Sequence, residues 1–241
     1  MCGRYTLFTP AADLESRFDA TFADPPEPRY NCSPGQSLPV ITNDAPDEFR
    51  RLRWGLIPSW ADDEAAGNDR INARAETLDE KPSFRDAYQQ RRCLVPADGF
   101  YEWVQDGDEK RPYRVAFADD RPFAMAGLWE RWEPSHTQTG LGDFGSGGAG
   151  GRGGIDSDSD VVESFSIVTT EPNDAVADLH HRMAVVLDPD EESIWLDGDT
   201  EDVARLLEPH RGDDWQAYPV STRVNSPAND DPSLLERVEA E

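Results

Sequence analysis

The hydrophobic positions of the chain fall mostly into short runs rather than into long amphipathic stretches. These runs are rich in β-branched and aromatic residues and are separated by Pro, Gly and Asp, which is typical of strands joined by turns. The pattern predicts strands over residues 38–42, 51–56, 93–96, 99–104, 113–117, 123–128, 165–169 and 184–187.

Helical periodicity is weaker than the strand pattern. It predicts short helices over residues 11–18, 82–90, 173–178, 190–196 and 200–207. The last two begin with acidic residues, which suit the positive end of the helix dipole. Many short strands with interspersed short helices favour an α+β class, with a single domain built round a curved, mostly antiparallel sheet or barrel and short peripheral helices. No internal repeat is visible.

Two segments depart from this pattern. Residues 134–160 are rich in Gly and then in Asp and Ser, with no apolar period, which predicts a flexible insertion. Because strand-like runs flank it, we interpret it as a loop within one domain rather than as a linker. Residues 226–241 are predicted to form a polar tail with one short helix, so the domain is expected to span residues 1–225.

The charge balance is strongly acidic, with 49 Asp and Glu against 23 Lys and Arg and a net charge of −26. Only Lys81 and Lys110 are lysines, and the other 21 basic residues are arginines. Such a surface stays hydrated in concentrated salt and predicts a halophilic source. Taken alone it argues against nucleic-acid binding, which normally uses a basic face. Residues 50–92 are an exception, because their nine basic and eight acidic residues nearly cancel.

The hydrophobic share of 37% is enough for a folded core. No run of 18 apolar residues occurs and residues 1–20 do not have the pattern of a signal peptide, which predicts a soluble cytoplasmic protein without membrane contact. The three cysteines Cys2, Cys32 and Cys93 are an odd number with no close pair. They therefore support neither a disulfide framework nor a zinc knuckle, and at least one thiol is left for chemistry.

Cys2 directly follows Met1, and removal of Met1 would leave an α-amine beside the Cys2 thiol. An α-amine has a reference pKa of about 7.7–8.0 and is substantially neutral near pH 7. It can condense with an aldehyde to a Schiff base, which the thiol can close into a five-membered thiazolidine. The alternative interpretation is an ordinary small residue at a frayed chain end.

Glu102 and His180 are candidates for proton transfer. In a strand, Glu102 would share a face with Phe100 and Val104, and apolar neighbours raise the pKa of a carboxyl towards neutrality. It could instead be an edge-strand residue that faces water. His180 and His181 are adjacent and point in different directions, so a shared metal site is not expected. One of them could act as a proton shuttle or be a structural imidazole.

The nearly neutral segment carries Trp54, Trp60 and Arg74 close to Gly and Pro residues. Tryptophans on loops can stack on bases, and an arginine can bind a phosphate through two parallel hydrogen bonds. Alternatively, the tryptophans belong to the core and Arg74 pairs with Glu76 or another acid.

Several blocks, taken in order, resemble the SRAP family, the SOS response-associated peptidases that shield abasic sites in single-stranded DNA. The resemblance covers nearly the whole chain except the insertion and the tail. The blocks are Met-Cys-Gly-Arg-Tyr at the start, Tyr30-Asn31 with Ser33-Pro34-Gly35-Gln36, Trp-Gly-Leu-Ile-Pro from Trp54, Asn-Ala-Arg-Ala-Glu-Thr from Asn72, Cys-Leu-Val-Pro-Ala-Asp-Gly-Phe-Tyr-Glu-Trp from Cys93, Ala-Gly-Leu-Trp-Glu from Ala126, the His180 segment, and Val-Ser-Thr-Arg-Val-Asn from Val220. The chain has Ala184 where the family usually has proline, and His181 occupies a variable position, which favours His180 as the functional histidine.

The resemblance implies a covalent reaction in which Cys2, exposed by loss of Met1, attacks C1′ of the ring-opened deoxyribose and forms a thiazolidine. It implies that Glu102 is the general acid and base and also assists Met1 removal, that His180 assists proton transfer, and that Asn72 holds the Cys2 amino terminus or the sugar oxygen. No cofactor or metal is implied, and a monomer is expected.

The same resemblance implies a set of DNA contacts. Arg4, Arg74 and Arg182 would grip phosphates, Thr169 would add a hydroxyl contact, and Asn31, Pro39 and Trp60 would line or wedge the strand. Two other functions stay open: a cysteine peptidase that acts on other proteins, and a non-covalent module that binds single-stranded DNA.

Overall fold

A computed structural model of the protein describes residues 2–107, 109–134, 161–212 and 214–239. The predicted flexible insertion lies outside the described residues from residue 135 onwards. The described part contains five α-helices: α1 (Ala11–Phe18), α2 (Arg85–Gln90), α3 (Asp174–Ala177), α4 (Glu192–Asp197) and α5 (Thr200–Ala204). None of the described helices combines the length and the apolar character that crossing a bilayer would require.

The described residues also form 14 strands in two sheets. They are β1 (Tyr5–Leu7), β2 (Thr21–Phe22), β3 (Arg29–Cys32), β4 (Ser37–Thr42), β5 (Ala45–Trp54), β6 (Asn72–Arg74), β7 (Arg92–Ala97), β8 (Gly99–Asp106), β9 (Glu109–Phe117), β10 (Phe123–Trp132), β11 (Val162–Thr170), β12 (Met183–Ala184), β13 (Val186–Leu187) and β14 (Trp215–Pro219).

Five strands of the larger sheet close into a barrel. β5, β4, β7, β10 and β11 follow one another as antiparallel neighbours, and β11 then pairs with β5 in parallel at Ser164 opposite Arg53. Every residue of β7 is buried, as expected for a strand covered on both faces. Closure removes the exposed edges that an open sheet would present. The predicted α+β class with a curved, mostly antiparallel, barrel-like core is confirmed.

The second sheet has the order β14-β9-β8-β1-β3 and packs against the barrel. The Tyr5 ring of β1 lies 5.2 Å from the Trp54 ring of β5, so one apolar core joins the two sheets. β1 pairs with β8 only at Gly99 and Phe100. From Glu102 onwards, β8 therefore has a described strand neighbour on its β9 side alone, and this open edge becomes part of the candidate site.

The predicted boundaries are correct for α1 and shifted for other elements. The helix predicted over residues 82–90 begins only at Arg85, after a turn. The strand predicted over residues 51–56 starts earlier and ends at Trp54. It ends there because Gly55 has a φ of +123°, which favours glycine, and because any side chain at Gly55 would collide with the Gly67 carbonyl oxygen. The strand predicted over residues 184–187 divides into β12 and β13.

The polar segment after Ser226 packs on the second sheet. The Asp230 carboxylate accepts hydrogen bonds from the backbone nitrogens of Tyr30 and Asn31 in β3 and pairs with the Arg29 side chain. Leu234, within a short 3-10 helix (Pro232–Leu235), is fully buried. Residues 230–234 are thereby fastened to the second sheet, and the division of the chain at residue 225 stays a prediction.

Candidate functional site

Cys2 is fully buried, and its carbonyl oxygen accepts a hydrogen bond of 3.0 Å from Nδ2 of Asn72. Asn72 opens β6, which lies parallel to β11 and is held by its pairing with that barrel strand. Burial raises the pKa of the Cys2 thiol, and the nearby Glu102 carboxylate raises it further. The thiol is therefore protonated at neutral pH in this state and needs a base before it can act as a nucleophile.

The other end of the Asn72 amide has a different environment. Its Oδ1 atom is buried and has no hydrogen-bond partner among the residues that the structure describes. A buried acceptor without a partner is unfavourable by about 1–3 kcal/mol. The position is therefore suited to receiving an N–H or O–H group beside Cys2.

Glu102 lies in the interior rather than in water, with only 2% of its surface exposed. It stands on β8 opposite Tyr113 of β9, at the edge that β1 leaves open. Burial raises the pKa of Glu102 from 4.5 to about 7. At neutral pH the carboxyl is thus divided between its acid and base forms, as an acid and base catalyst requires.

His180 follows α3, and its ring is fixed by the backbone of a neighbour. Its Nδ1 lies 3.0 Å from the Arg182 backbone nitrogen and 3.1 Å from the Arg182 carbonyl oxygen. Burial lowers the pKa of His180, so its imidazole is neutral at pH 7. Its ring stacks on that of His181 at 4.3 Å. Within the described ranges, no cluster of three or more His, Cys, Asp or Glu side chains is arranged to hold a metal ion.

Glu102 and His180 line one cavity, which has a volume of about 370 Å³. Trp103, Lys110 and Asn225 complete its lining. Trp103 Nε1 donates a hydrogen bond of 2.8 Å to Asn225 Oδ1. No role was predicted for these three residues from the sequence. Trp103 and Asn225 are the last residues of two of the sequence blocks that resemble the SRAP family, and Lys110 is one of only two lysines. The sequence therefore contained a feature that could have marked each of them.

Arg182 is held inside the protein, with 8% of its surface exposed. Its guanidinium forms a two-point pair with Glu76, at 2.5 and 2.9 Å, and also donates to the Thr169 carbonyl oxygen. The pair lowers the pKa of Glu76. Thr169 is fully buried, and its hydroxyl donates to the Ala73 carbonyl oxygen at 3.4 Å. Both predicted DNA contacts are therefore engaged with protein groups in this structure.

Arg4 and Asn31 hold the segment that leads to Asn225. Arg4 donates to Asn31 Oδ1 at 3.2 Å and to the Val224 carbonyl oxygen at 2.8 Å, and burial lowers its pKa. Asn31 is fully buried, and its Nδ2 donates to three carbonyl oxygens of residues 224–229 at 2.8–3.2 Å. The two predicted DNA-contacting residues thus fix the position of one wall of the cavity.

The remaining predicted DNA contacts are not among the residues that line the cavity. Pro39 is buried within β4, whereas Arg74 is exposed on β6. Trp60 is 58% exposed, and the Arg70 guanidinium lies 5.8 Å from its ring centre. Trp54, in contrast, is completely buried in the core. The two tryptophans, which are only six positions apart in sequence, thus have opposite environments.

Comparison with known proteins gives consistent matches. Residues 1–227 match the family described as SOS response associated peptidase (SRAP). The chain is 39% identical to the abasic site processing protein YoqW of Bacillus subtilis (strain 168) over 98% of its own length and 99% of the relative's. It is 31% identical to the abasic site processing protein HMCES of Gallus gallus, covering 88% of this chain and 67% of that protein.

The fold is also similar to solved structures. A crystal structure of a protein from Bacteroides thetaiotaomicron superposes with a TM-score of 0.80 at 28% sequence identity, covering 99% of this chain and 100% of that one. A protein from Bordetella bronchiseptica gives a TM-score of 0.72 at 25% identity, covering 91% of this chain and all of that one. With the family match extending over residues 1–227, the chain belongs to the SRAP family.

Proposed function

We propose that the protein recognises abasic sites in single-stranded DNA and cross-links to them through Cys2 after loss of Met1. The relatives named abasic site processing proteins support the substrate class. The observation that carries the proposal is the arrangement round Cys2. Asn72 holds its carbonyl group at 3.0 Å, and Glu102, which raises the pKa of its thiol, shares a cavity with His180.

The reaction needs no oxidant or reductant. The α-amine of Cys2 adds to the C1′ aldehyde of the ring-opened deoxyribose, and the resulting carbinolamine loses one water to give an imine. The thiol sulfur then bonds to the imine carbon while its proton passes to the nitrogen, which closes the thiazolidine ring. The product has one new carbon–nitrogen bond and one new carbon–sulfur bond at C1′.

Glu102 supplies and removes protons in these steps. In its acid form it protonates the ring oxygen as the sugar ring opens. It also protonates the hydroxyl of the carbinolamine, which then leaves as water. In its base form it takes a proton from the Cys2 thiol. A pKa of about 7 allows both forms at neutral pH, and the neutral His180 in the same cavity assists the transfers.

Asn72 orients the nucleophiles. Its Nδ2 fixes the Cys2 carbonyl, and its buried Oδ1 accepts a hydrogen bond from the α-amine once Cys2 is the first residue. The amine and thiol of Cys2 are then held together at one position, which raises their effective concentration at the aldehyde.

The exposed Trp60 and Arg74 contact the DNA strand outside the cavity, by stacking on a base and by binding a phosphate. DNA contacts by a second group of residues stay predictions, because their side chains are buried or are bonded to protein groups in this structure. They are Arg4, Asn31, Pro39, Thr169 and Arg182.

A peptidase acting on other proteins is less well supported. Such an enzyme attacks with a thiolate, whereas burial keeps the Cys2 thiol protonated. In the proposed cross-linking reaction the α-amine attacks first, and the thiol adds only after Glu102 has taken its proton. Glu102 instead suits a single self-directed cleavage, the removal of Met1.

Incubation with single-stranded DNA that contains one abasic site tests the proposal. Wild type is expected to give a heat-stable shifted species in denaturing electrophoresis, as is the control Cys93→Ala. Cys2→Ala and a variant with an N-terminal extension are expected to give none. A heat-stable adduct with Cys2→Ala would refute the mechanism. A mass spectrum that shows Met1 retained in most molecules would also remove the proposed nucleophile.

A further inference from the structure

Two donor groups line the cavity beside Glu102 and take no part in the reaction described above. They are the ammonium group of Lys110 on β9 and the side-chain amide of Asn225. Both residues are exposed, so they can meet a ligand that enters from solvent. Neither has a role in the steps at C1′.

The orientation of the Asn225 amide is determined by Trp103. An indole N–H can only donate, so the amide atom that lies 2.8 Å from Trp103 Nε1 must be the oxygen. The other end of the amide is then Nδ2, which carries two N–H donors. The hydrogen bonds of Arg4 and Asn31 to the Val224 carbonyl hold the preceding residue and so fix this loop. The cavity thus receives a donor from a rigidly placed residue.

Lys110 provides the positive charge of this wall. In the pairing of β8 with β9, Lys110 lies opposite Gln105, and Pro112 lies opposite Trp103. Because Lys110 and Pro112 are two positions apart on one strand, the side chains of Lys110 and Trp103 share a face of the hairpin. The arginines predicted to grip phosphates near the site, Arg4 and Arg182, are bonded to protein groups. A lysine ammonium on a flexible stem is suited to a phosphate as a point charge.

An abasic nucleotide offers few groups for recognition. It has no base, so only the deoxyribose and its two flanking phosphates remain. If C1′ reacts with Cys2 near Glu102, a phosphate of the same nucleotide must lie within a few bonds of the cavity. We propose that Lys110 and Asn225 Nδ2 bind a phosphate that flanks the reacting deoxyribose, with Trp103 as the positioning residue. This inference rests on the proposed function and adds a phosphate subsite to it.

Non-covalent binding tests the subsite separately from the covalent reaction. The probe is a single-stranded oligonucleotide with one tetrahydrofuran abasic analogue, which has no reactive C1′ oxygen, measured by fluorescence anisotropy at 0.1 M salt. Lys110→Gln is expected to weaken binding about tenfold, which corresponds to loss of one charge-assisted contact. Asn225→Asp keeps an acceptor for Trp103 but replaces the donor with an anionic oxygen, and should weaken binding at least as much. Lys81→Gln, which changes the other lysine, is the matched control and should bind as wild type.

Uncharged methylphosphonate linkages then identify the partner of Lys110. One oligonucleotide carries the substitution 5′ to the analogue and another carries it 3′. Wild type and Lys110→Gln should bind one of these two oligonucleotides with equal affinity, because the negative phosphate charge that Lys110 contacts has been removed from it. Trp103→Phe, which keeps a ring but lacks the N–H, should reproduce part of the Asn225→Asp defect.

Equal affinity of Lys110→Gln and wild type for the unmodified probe would overturn the subsite, as would a defect of unchanged size on both methylphosphonate probes. Failure of wild type to cross-link a true abasic site would refute the proposed function alone, because the binding comparison does not depend on covalent chemistry. A Lys110-dependent affinity in that case would still establish the phosphate contact.

Discussion

Asn72 of β6, a strand paired with the barrel strand β11, donates a 3.0 Å hydrogen bond to the carbonyl oxygen of Cys2 and so ties Cys2 to β6. The contact joins residues that are 70 positions apart in sequence. It fixes the backbone from which both proposed nucleophiles extend. Because strand pairing with β11 holds Asn72, the position of Cys2 is set by the barrel rather than by the local chain.

We expect Asn72→Asp to slow cross-linking by about tenfold or more. The substitution preserves shape but replaces the Nδ2 donor with a second oxygen that repels the Cys2 carbonyl, and loss of a buried hydrogen bond is worth about 1–3 kcal/mol. The measurement is the cross-linking rate on abasic single-stranded DNA under single-turnover conditions. An unchanged rate in a variant that unfolds like wild type would mean that the contact does not serve the reaction.

A second prediction concerns Glu102 and the pH dependence of stability. Its pKa is raised from 4.5 to about 7 in the folded protein, so between these values the folded state binds more protons than the unfolded state. The resulting stability is fully present below pH 4.5 and is lost as the pH rises through about 7. The total change is about 3 kcal/mol.

Glu102→Gln removes this titration. Relative to wild type, the free energy of unfolding of the variant should therefore rise by about 3 kcal/mol between pH 4.5 and pH 8, as measured by urea unfolding. A difference that stays constant over this range would contradict the raised pKa. The variant should also retain Met1 or cross-link more slowly.

The Glu76–Arg182 pair provides a third prediction. Glu76→Gln leaves the buried Arg182 guanidinium without its carboxylate, next to the backbone that fixes His180. Because the Glu76 side chain is 49% exposed and solvent screens the pair, we expect a loss of about 1 kcal/mol in urea unfolding. Glu208→Gln, which breaks the exposed pair with Arg211, is the matched control and should change stability by much less. Equal effects of the two variants would show that the burial of Arg182 contributes nothing.

The acidic surface makes a fourth prediction, about salt. With a net charge of −26, non-covalent affinity for single-stranded DNA should be weak at low salt. At 1 M salt the Debye length falls to about 3 Å, so repulsion is screened and stacking and the covalent bond remain. Cross-linking should therefore persist in molar KCl, as read from the yield of heat-stable adduct at 0.1, 1 and 2 M. Abolition of the adduct at 1 M would contradict this expectation and would weigh against a halophilic source.

Periodicity along the chain was sufficient to predict the class and many elements, including both ends of α1. It did not predict β1, β2, β3, β6 and β14, which have two to five residues each. Strands this short have little local preference and form because a neighbouring strand satisfies their backbone groups. Their boundaries therefore depend on tertiary structure that a sequence pattern does not contain.

The candidate site was likewise only partly predictable from the sequence. Cys2, Glu102 and His180 were identifiable because their chemistry and the resembling blocks marked them. Burial could not be derived in the same way. Asn31 looks like an exposed polar residue in sequence, yet its amide is buried and bonded to residues that lie almost 200 positions later.

The contact between Asp230 and β3 has a consequence for the timing of synthesis. Cys2 is made long before Asn225 and Asp230, which complete and anchor one wall of the cavity. Domains form as the chain emerges, from the N-terminal end onwards. A nascent chain therefore carries Cys2 before the pocket is finished, and the proposed reaction within the cavity must wait until Asp230 has been made and has bonded to β3.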